Sequence, residues 1–118
     1  MTAPDQDVRW SGRHAVVTMP DEIDLTNSGD LDELLAGVVA QSPQTVTVDL
    51  TATTFCDSAG INVLARAHQL AADNGGELRI AHGHSPIARI IQLIGLDQIV
   101  PVYPDVQHSL DGDAPAGA

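Results

Sequence analysis

The residues in this chain best placed for chemistry form one short run, Asp57-Ser58-Ala59-Gly60, where a polar loop gives way to helical periodicity. A serine at such a junction can do three things. It can cap the helix, its hydroxyl accepting a backbone N–H bond worth about 1 kcal/mol. It can be a nucleophile, because Ser-x-Gly is half of the Gly-x-Ser-x-Gly elbow of serine hydrolases, and Asp97 and His108 follow in triad order. Position 56 is Cys rather than Gly, however, and 118 residues leave little room for a cleft, an oxyanion hole and a triad together. Finally, it can accept a phosphoryl group. A helix N-terminus offers unpaired N–H groups and a favourable dipole to an anion, and phosphorylation there adds about −1.5 to −2 charges. The motif alone does not choose among the three.

The remaining chemistry-bearing residues are sparser. His82-Gly83-His84 could reach a metal from a loop, but zinc sites take three or four protein ligands, and the other histidines (His14, His68, His108) lie far away in sequence. No metal is expected. Cys56, between Phe55 and Asp57, reads as a small buried hydrophobe. The chain has no G-x-x-x-x-G-K-[ST], no G-x-G-x-x-G and no H-E-x-x-H. The expectation is therefore no cofactor and no enzyme activity.

The elements that must hold Ser58 follow from periodicity. An apolar run over 14–19 predicts a strand, with a partner over 8–11 across Gly12. Leu31, Leu34, Leu35, Val38 and Val39 predict a helix over 28–40, with Thr26, Asn27 and Ser28 as candidate N-caps. Residues 45–50 alternate, Val46, Val48 and Leu50 sharing a face, which predicts a half-buried strand. A helix over 58–74 would bury Ile61, Leu64, Ala67, Leu70 and Ala71, and a strand over 78–81 follows. Ser85 as cap, Pro86 at the first helical position and Gly95 past the last turn bracket an apolar stripe of Ile87, Ile90, Ile91 and Ile94. A strand over 99–103 should lie at a sheet edge, because Pro101 has no N–H, and a short helix starts near Pro104-Asp105. Alternating strands and helices predict one α/β domain over 8–110 with a mostly parallel sheet. Residues 1–7 and 111–118 read as flexible ends.

Composition narrows the partners. Sixteen acidic residues against five basic ones give a net charge of −11. Such a surface repels nucleic-acid backbones and anionic membranes and attracts a basic protein face. A single cysteine excludes an intrachain disulfide, and neither a signal peptide nor a spanning segment is apparent. A cytoplasmic protein is expected.

From Val46 to Tyr103 the chain resembles the STAS domain of bacterial anti-sigma factor antagonists. VTVDLTATTFCDSAGINVLARA is similar to the family's strand, loop and switch helix, and GGELRIAHGHSPIARIIQLIGLDQIVPVYPD to its closing half. DEIDLTNSGDLDELL matches the approach to the first helix. The resemblance implies a mixed sheet of four to five strands with amphipathic helices mainly on one face. It also implies a partner switch. The unphosphorylated protein would bind an anti-sigma factor that is an ATP-dependent serine kinase, freeing the sigma factor; phosphorylation of Ser58 would release the kinase, and a serine phosphatase would reset the switch. Asp24 aligns with the acidic residue beside the switch serine. The partner-binding set it implies is Asp24, Thr26, Asn27, Asp57, Ser58, Ala59, Gly60, Ile61 and Asn62. Ala59 stands where Ser or Thr is common, Asp21 where a glycine often precedes the turn, and Cys56 where a bulkier apolar residue is usual. A STAS scaffold or transporter-associated subunit without a phosphorylation switch is the alternative, and a small serine hydrolase is the more distant one.

Overall fold

A computed structural model describes residues 7–112. The chain runs β1 (Val8–Ser11), β2 (His14–Thr18), β3 (Glu22–Ile23), α1 (Ser28–Val39), β4 (Thr45–Asp49) and β5 (Phe55–Cys56). It continues with α2 (Ser58–Asp73), β6 (Glu77–Ala81), α3 (Ile87–Ile94), a 3-10 turn (Leu96–Gln98), β7 (Val102–Tyr103) and α4 (Val106–Asp111). The main sheet has the order β1-β2-β4-β6-β7, antiparallel only between β1 and β2. A second, two-stranded parallel ribbon pairs β3 with β5. Two residues per strand carry no detectable period, so this ribbon is not legible in the sequence.

Strand alternation puts Ala15, Val46 and Leu78 in one cross-strand row and Val17, Val48 and Ile80 in the next. All six are buried and share a single core with the inner faces of α1, α2 and α3. Each such aliphatic side chain contributes roughly 1.5–3 kcal/mol on burial.

The expectation of a half-buried β4 is corrected. Thr45 and Thr47 are buried as well. Helix α4 lies over the opposite face of the sheet, where Thr47 Oγ1 and Ser109 Oγ share a 2.7 Å hydrogen bond. Arg79 fixes the same helix, donating to the Ser109 carbonyl at 2.5 Å and to Glu77 Oε1 at 2.7 Å while lying over the Tyr103 ring. Helices therefore pack mainly, but not only, on one face.

Two further boundaries move. Helix α2 buries Val63, Leu64, Ala67 and Ala71, whereas Leu70 is 38% exposed and Ile61 only partly covered. At about 100° per residue these two fall on opposite margins of the apolar stripe. Strand β7 is two residues rather than five, because the Ile99 N–H bonds back to Leu96 O and Pro101 has no donor. Pro101 still offers its carbonyl to Ile80 N, at the sheet edge as expected. On α3, Ile87 and Ile91 are buried while Ile94 faces water. Helix α4 extends through Asp111 and ends on Gly112 in the left-handed region, φ 72°. The expected flexible ends otherwise lie outside the described residues. No helix among the described residues is long and apolar enough to cross a membrane.

Candidate functional site

The site is built where the β3–β5 ribbon feeds two helices. Parallel pairing sets Glu22 opposite Phe55 and Ile23 opposite Cys56. The next residue on each strand is an aspartate, so Asp24 and Asp57 leave the ribbon side by side, about 5 Å apart by strand spacing. The Asp57 N–H continues the ladder onto Ile23 O at 3.1 Å. Sequence places these aspartates 33 positions apart; the ribbon makes them neighbours.

Asp57 is the N-cap of α2, and its Oδ1 accepts the Gly60 N–H at 3.1 Å. This decides one of the three readings of Ser58. The capping role belongs to its neighbour, and Ser58 is the first residue of the helix, exposed to solvent. Its hydroxyl has no hydrogen bond among those formed by the described residues. Gly60 is where the motif meets packing. A Cβ there would lie 2.8 Å from Ile23 Cγ2 and closer still to Cys56 Sγ. The first turn of α2 thus sits on the ribbon at a distance that only glycine permits, which fixes where Ser58 projects.

The β3–α1 loop is held by its own polar groups. Asp24 Oδ1 accepts from Thr26 N at 2.9 Å and from Thr26 Oγ1 at 2.5 Å. The Thr26 hydroxyl, then its backbone N–H, holds the Asp24 carboxyl below the usual carboxylate range. Asn27 occupies the α1 cap position but makes no side-chain cap bond. Instead its Oδ1 accepts from Asp24 N at 3.0 Å and its Nδ2 donates to Glu22 O at 2.8 Å. Asp21 does not adopt positive φ; among the described non-glycine residues only Ser42 does. Its carbonyl accepts from Thr54 N at 2.7 Å and its Oδ1 from the Thr54 hydroxyl at 2.6 Å, clasping the two loops that flank the ribbon. Asp49 makes a similar local turn, accepting from Thr51 N at 2.9 Å and Thr51 Oγ1 at 2.6 Å.

The structure thus gathers the sequence candidates into one place with distinct tasks. Asp24, Asp57 and Ser58 line the outward face, with Ala59 partly covered and Asn62 exposed beside them. Thr26 and Asn27 shape the loop, while Gly60 and Ile61 face inward. Cys56 is a buried thiol, pushed up to about 11 by burial and then by the Asp57 charge, and so inert at neutral pH. Two exposed apolar residues, Leu25 and Phe55, also border the site. Sequence periodicity gives no reason to single them out, because an isolated Leu or Phe reads as core.

Other candidates are not brought together. His108 lies on α4, across the sheet from α2, with its Nδ1 2.7 Å from Asp105 Oδ1. Ser58, Asp97 and His108 therefore form no triad. His82 is buried and contacts the Gly83 carbonyl at 3.0 Å. Among the described residues no three His, Cys, Asp or Glu side chains are grouped to hold a metal.

Comparison with known proteins places the chain among similar sequences and folds. The anti-sigma-F factor antagonist RsfB of Mycobacterium tuberculosis is 31% identical over 115 residues, spanning 95% of this chain and 93% of that one. A solved anti-sigma factor antagonist from Mycobacterium paratuberculosis superposes with a TM-score of 0.82 at 30% identity, covering 89% of each chain. The antagonist SpoIIAA in its unphosphorylated form shares the fold, with a TM-score of 0.74 at 14% identity over 89% of this chain and 92% of that one. The model of the STAS domain family matches residues 5–109, and with these relatives at 30–31% identity the chain belongs to the STAS domain family.

Proposed function

We propose that this chain is an anti-sigma factor antagonist that works by reversible partner binding, with Ser58 as its switch. The observation that carries this reading is the division of labour at the α2 N-terminus. Asp57 caps the helix, so the Ser58 hydroxyl is exposed and available to a kinase. The relatives named as antagonists support the same reading.

In this account the unphosphorylated surface docks on an anti-sigma factor in the cytoplasm and releases the sigma factor. The anti-sigma factor is also an ATP-dependent serine kinase. The Ser58 oxygen attacks the γ-phosphorus of ATP, ADP leaves, and the hydroxyl proton passes to a base on the kinase. A serine phosphatase returns the hydroxyl by hydrolysis. The antagonist itself catalyses nothing and needs no cofactor.

The physical lever is charge. Phosphorylation adds about −1.5 to −2 charges beside two carboxylates, one of them kept ionised by the Thr26 hydroxyl. Asp57 already takes the Gly60 N–H, so the helix cannot offer that donor to the phosphate. In water the added charge is well solvated. Against a partner surface shaped for a neutral hydroxyl it must be stripped of water, and each 1.4 kcal/mol of mismatch weakens binding about tenfold. No change of fold is required.

The test is capture from native-host lysate on Ser58→Ala and Ser58→Asp baits. An ATP-binding anti-sigma factor held by the first and lost by the second is the expected result. The same proteins on both baits would contradict the switch.

A further inference from the structure

We propose that Leu25 and Phe55 are the apolar anchors of the partner contact, and that the surface they fit is an apolar pocket rimmed by basic residues. This inference rests on the functional reading above and names the partner's chemistry at that site.

Leu25 is 78% exposed and Phe55 49%, although both are large apolar side chains on a protein with an ample core. Their positions follow from the ribbon. Ile23 and Cys56 turn inward onto Gly60, so Glu22 and Phe55, one residue earlier on each strand, form a cross-strand pair on the outer face. Leu25 leaves the same ribbon one residue after Asp24, in a turn fixed by Thr26 and Asn27. The two apolar groups therefore stand on rigid backbone on either side of the Asp24–Asp57 pair, with Ser58 adjoining. Because the backbone that carries them is already ordered, docking need not pay to order the loop as well.

Charge identifies what they meet. Between Arg13 and Arg66 the sequence has no Lys or Arg, and the loops around the ribbon carry Asp21, Glu22, Asp24 and Asp57. A partner face that buries Leu25 and Phe55 must approach these carboxylates, and only a basic rim compensates them. An acidic or purely apolar surface would be repelled or would leave the carboxylates desolvated. Leu93, 75% exposed in the last turn of α3, lacks this acidic frame and serves as a matched control.

The experiment is a calorimetric titration of the anti-sigma factor that the Ser58→Ala bait retains, purified, against single variants in the Ser58→Ala background. Leu25→Ala and Phe55→Ala should each weaken binding about 30-fold or more, with Leu93→Ala unchanged and the parent's affinity lowered by added salt. Because both side chains are exposed, thermal melts should show these variants folded; Leu25→Gln, which keeps the length and loses the apolar surface, should weaken binding as Leu25→Ala does. If both alanine variants bind within about twofold of the parent while Ser58→Asp still abolishes capture, the anchors are wrong and the switch stands. If the Ser58→Ala bait retains no anti-sigma factor at all, both ideas fall.

Discussion

Two serines open helices in this protein, and their surroundings give them opposite uses. Ser85 precedes α3 and is 7% exposed. Its hydroxyl donates to the Thr53 carbonyl and accepts from Ile87 N at 3.2 Å, tying the loop after β4 to the start of α3. Ser58 follows the α2 cap, Asp57, and stands in solvent, whereas Ser85 comes one residue before the α3 cap, Pro86. The same side chain at nearly the same place on a helix is in one case a structural tie and in the other an exposed hydroxyl without a hydrogen bond. What separates them is the neighbour. An aspartate before the serine takes the backbone donor; a histidine-glycine-histidine loop before Ser85 does not.

This contrast can be broken most forcefully at Ser85. The expected cap position moves by one, to Pro86, but Ser85→Ala still removes the hydroxyl that holds Ile87 N and strands the buried Thr53 carbonyl, and should lower unfolding free energy by about 2–3 kcal/mol in urea titration. Next comes Gly60→Ala, which drives a Cβ into Ile23 and Cys56 and should cost about 1–3 kcal/mol. Adding Cys56→Ala to that background should restore part of the loss, a coupling that independent sites would not show. Asp57→Ala should cost about 1 kcal/mol as a lost cap. Ser58→Ala should stay within about 0.5 kcal/mol of the parent, as an exposed residue without partners does. A Ser58→Ala loss as large as that of Ser85→Ala would erase the distinction.

A smaller effect sharpens the electrostatic side. The folded-state pKa of Asp24 lies below its unfolded value, so its contribution to the loop is present above the unfolded pKa and is lost as pH falls through the folded one. Thr26→Val removes the hydroxyl that contributes most, and an NMR titration should show the Asp24 carboxyl moving back up toward its ordinary value. No movement would mean that the backbone N–H bonds alone set it.

Much of the frame was legible from sequence because it rests on long periodic segments. Helix α1 and the β2 and β4 strands announce themselves through apolar spacing, and β1 through the Gly12 turn that pairs it with β2. Thr45 and Thr47 misled because hydroxyl-bearing residues on a strand read as a wet face, whereas Ser109 from α4 pairs with Thr47 and the His14 ring with Thr45. The ribbon was illegible for a different reason: two-residue strands have no period, and only pairing at a separation of 33 residues creates them. The role of Ser58 was ambiguous because Asp57 and Ser58 are equally good caps by type. Only geometry shows which of them holds the Gly60 N–H. Leu25 and Phe55 stayed hidden because exposure is a property of the fold.

The central claim is that Ser58 is the hydroxyl that carries the switch, and the most direct measurement is phosphate mapping by mass spectrometry after incubation with the host anti-sigma kinase and ATP. A single phosphate on Ser58, absent from the Ser58→Ala protein and never on Ser85, is the result this account requires. Phosphate elsewhere, or undiminished labelling of Ser58→Ala, would contradict it.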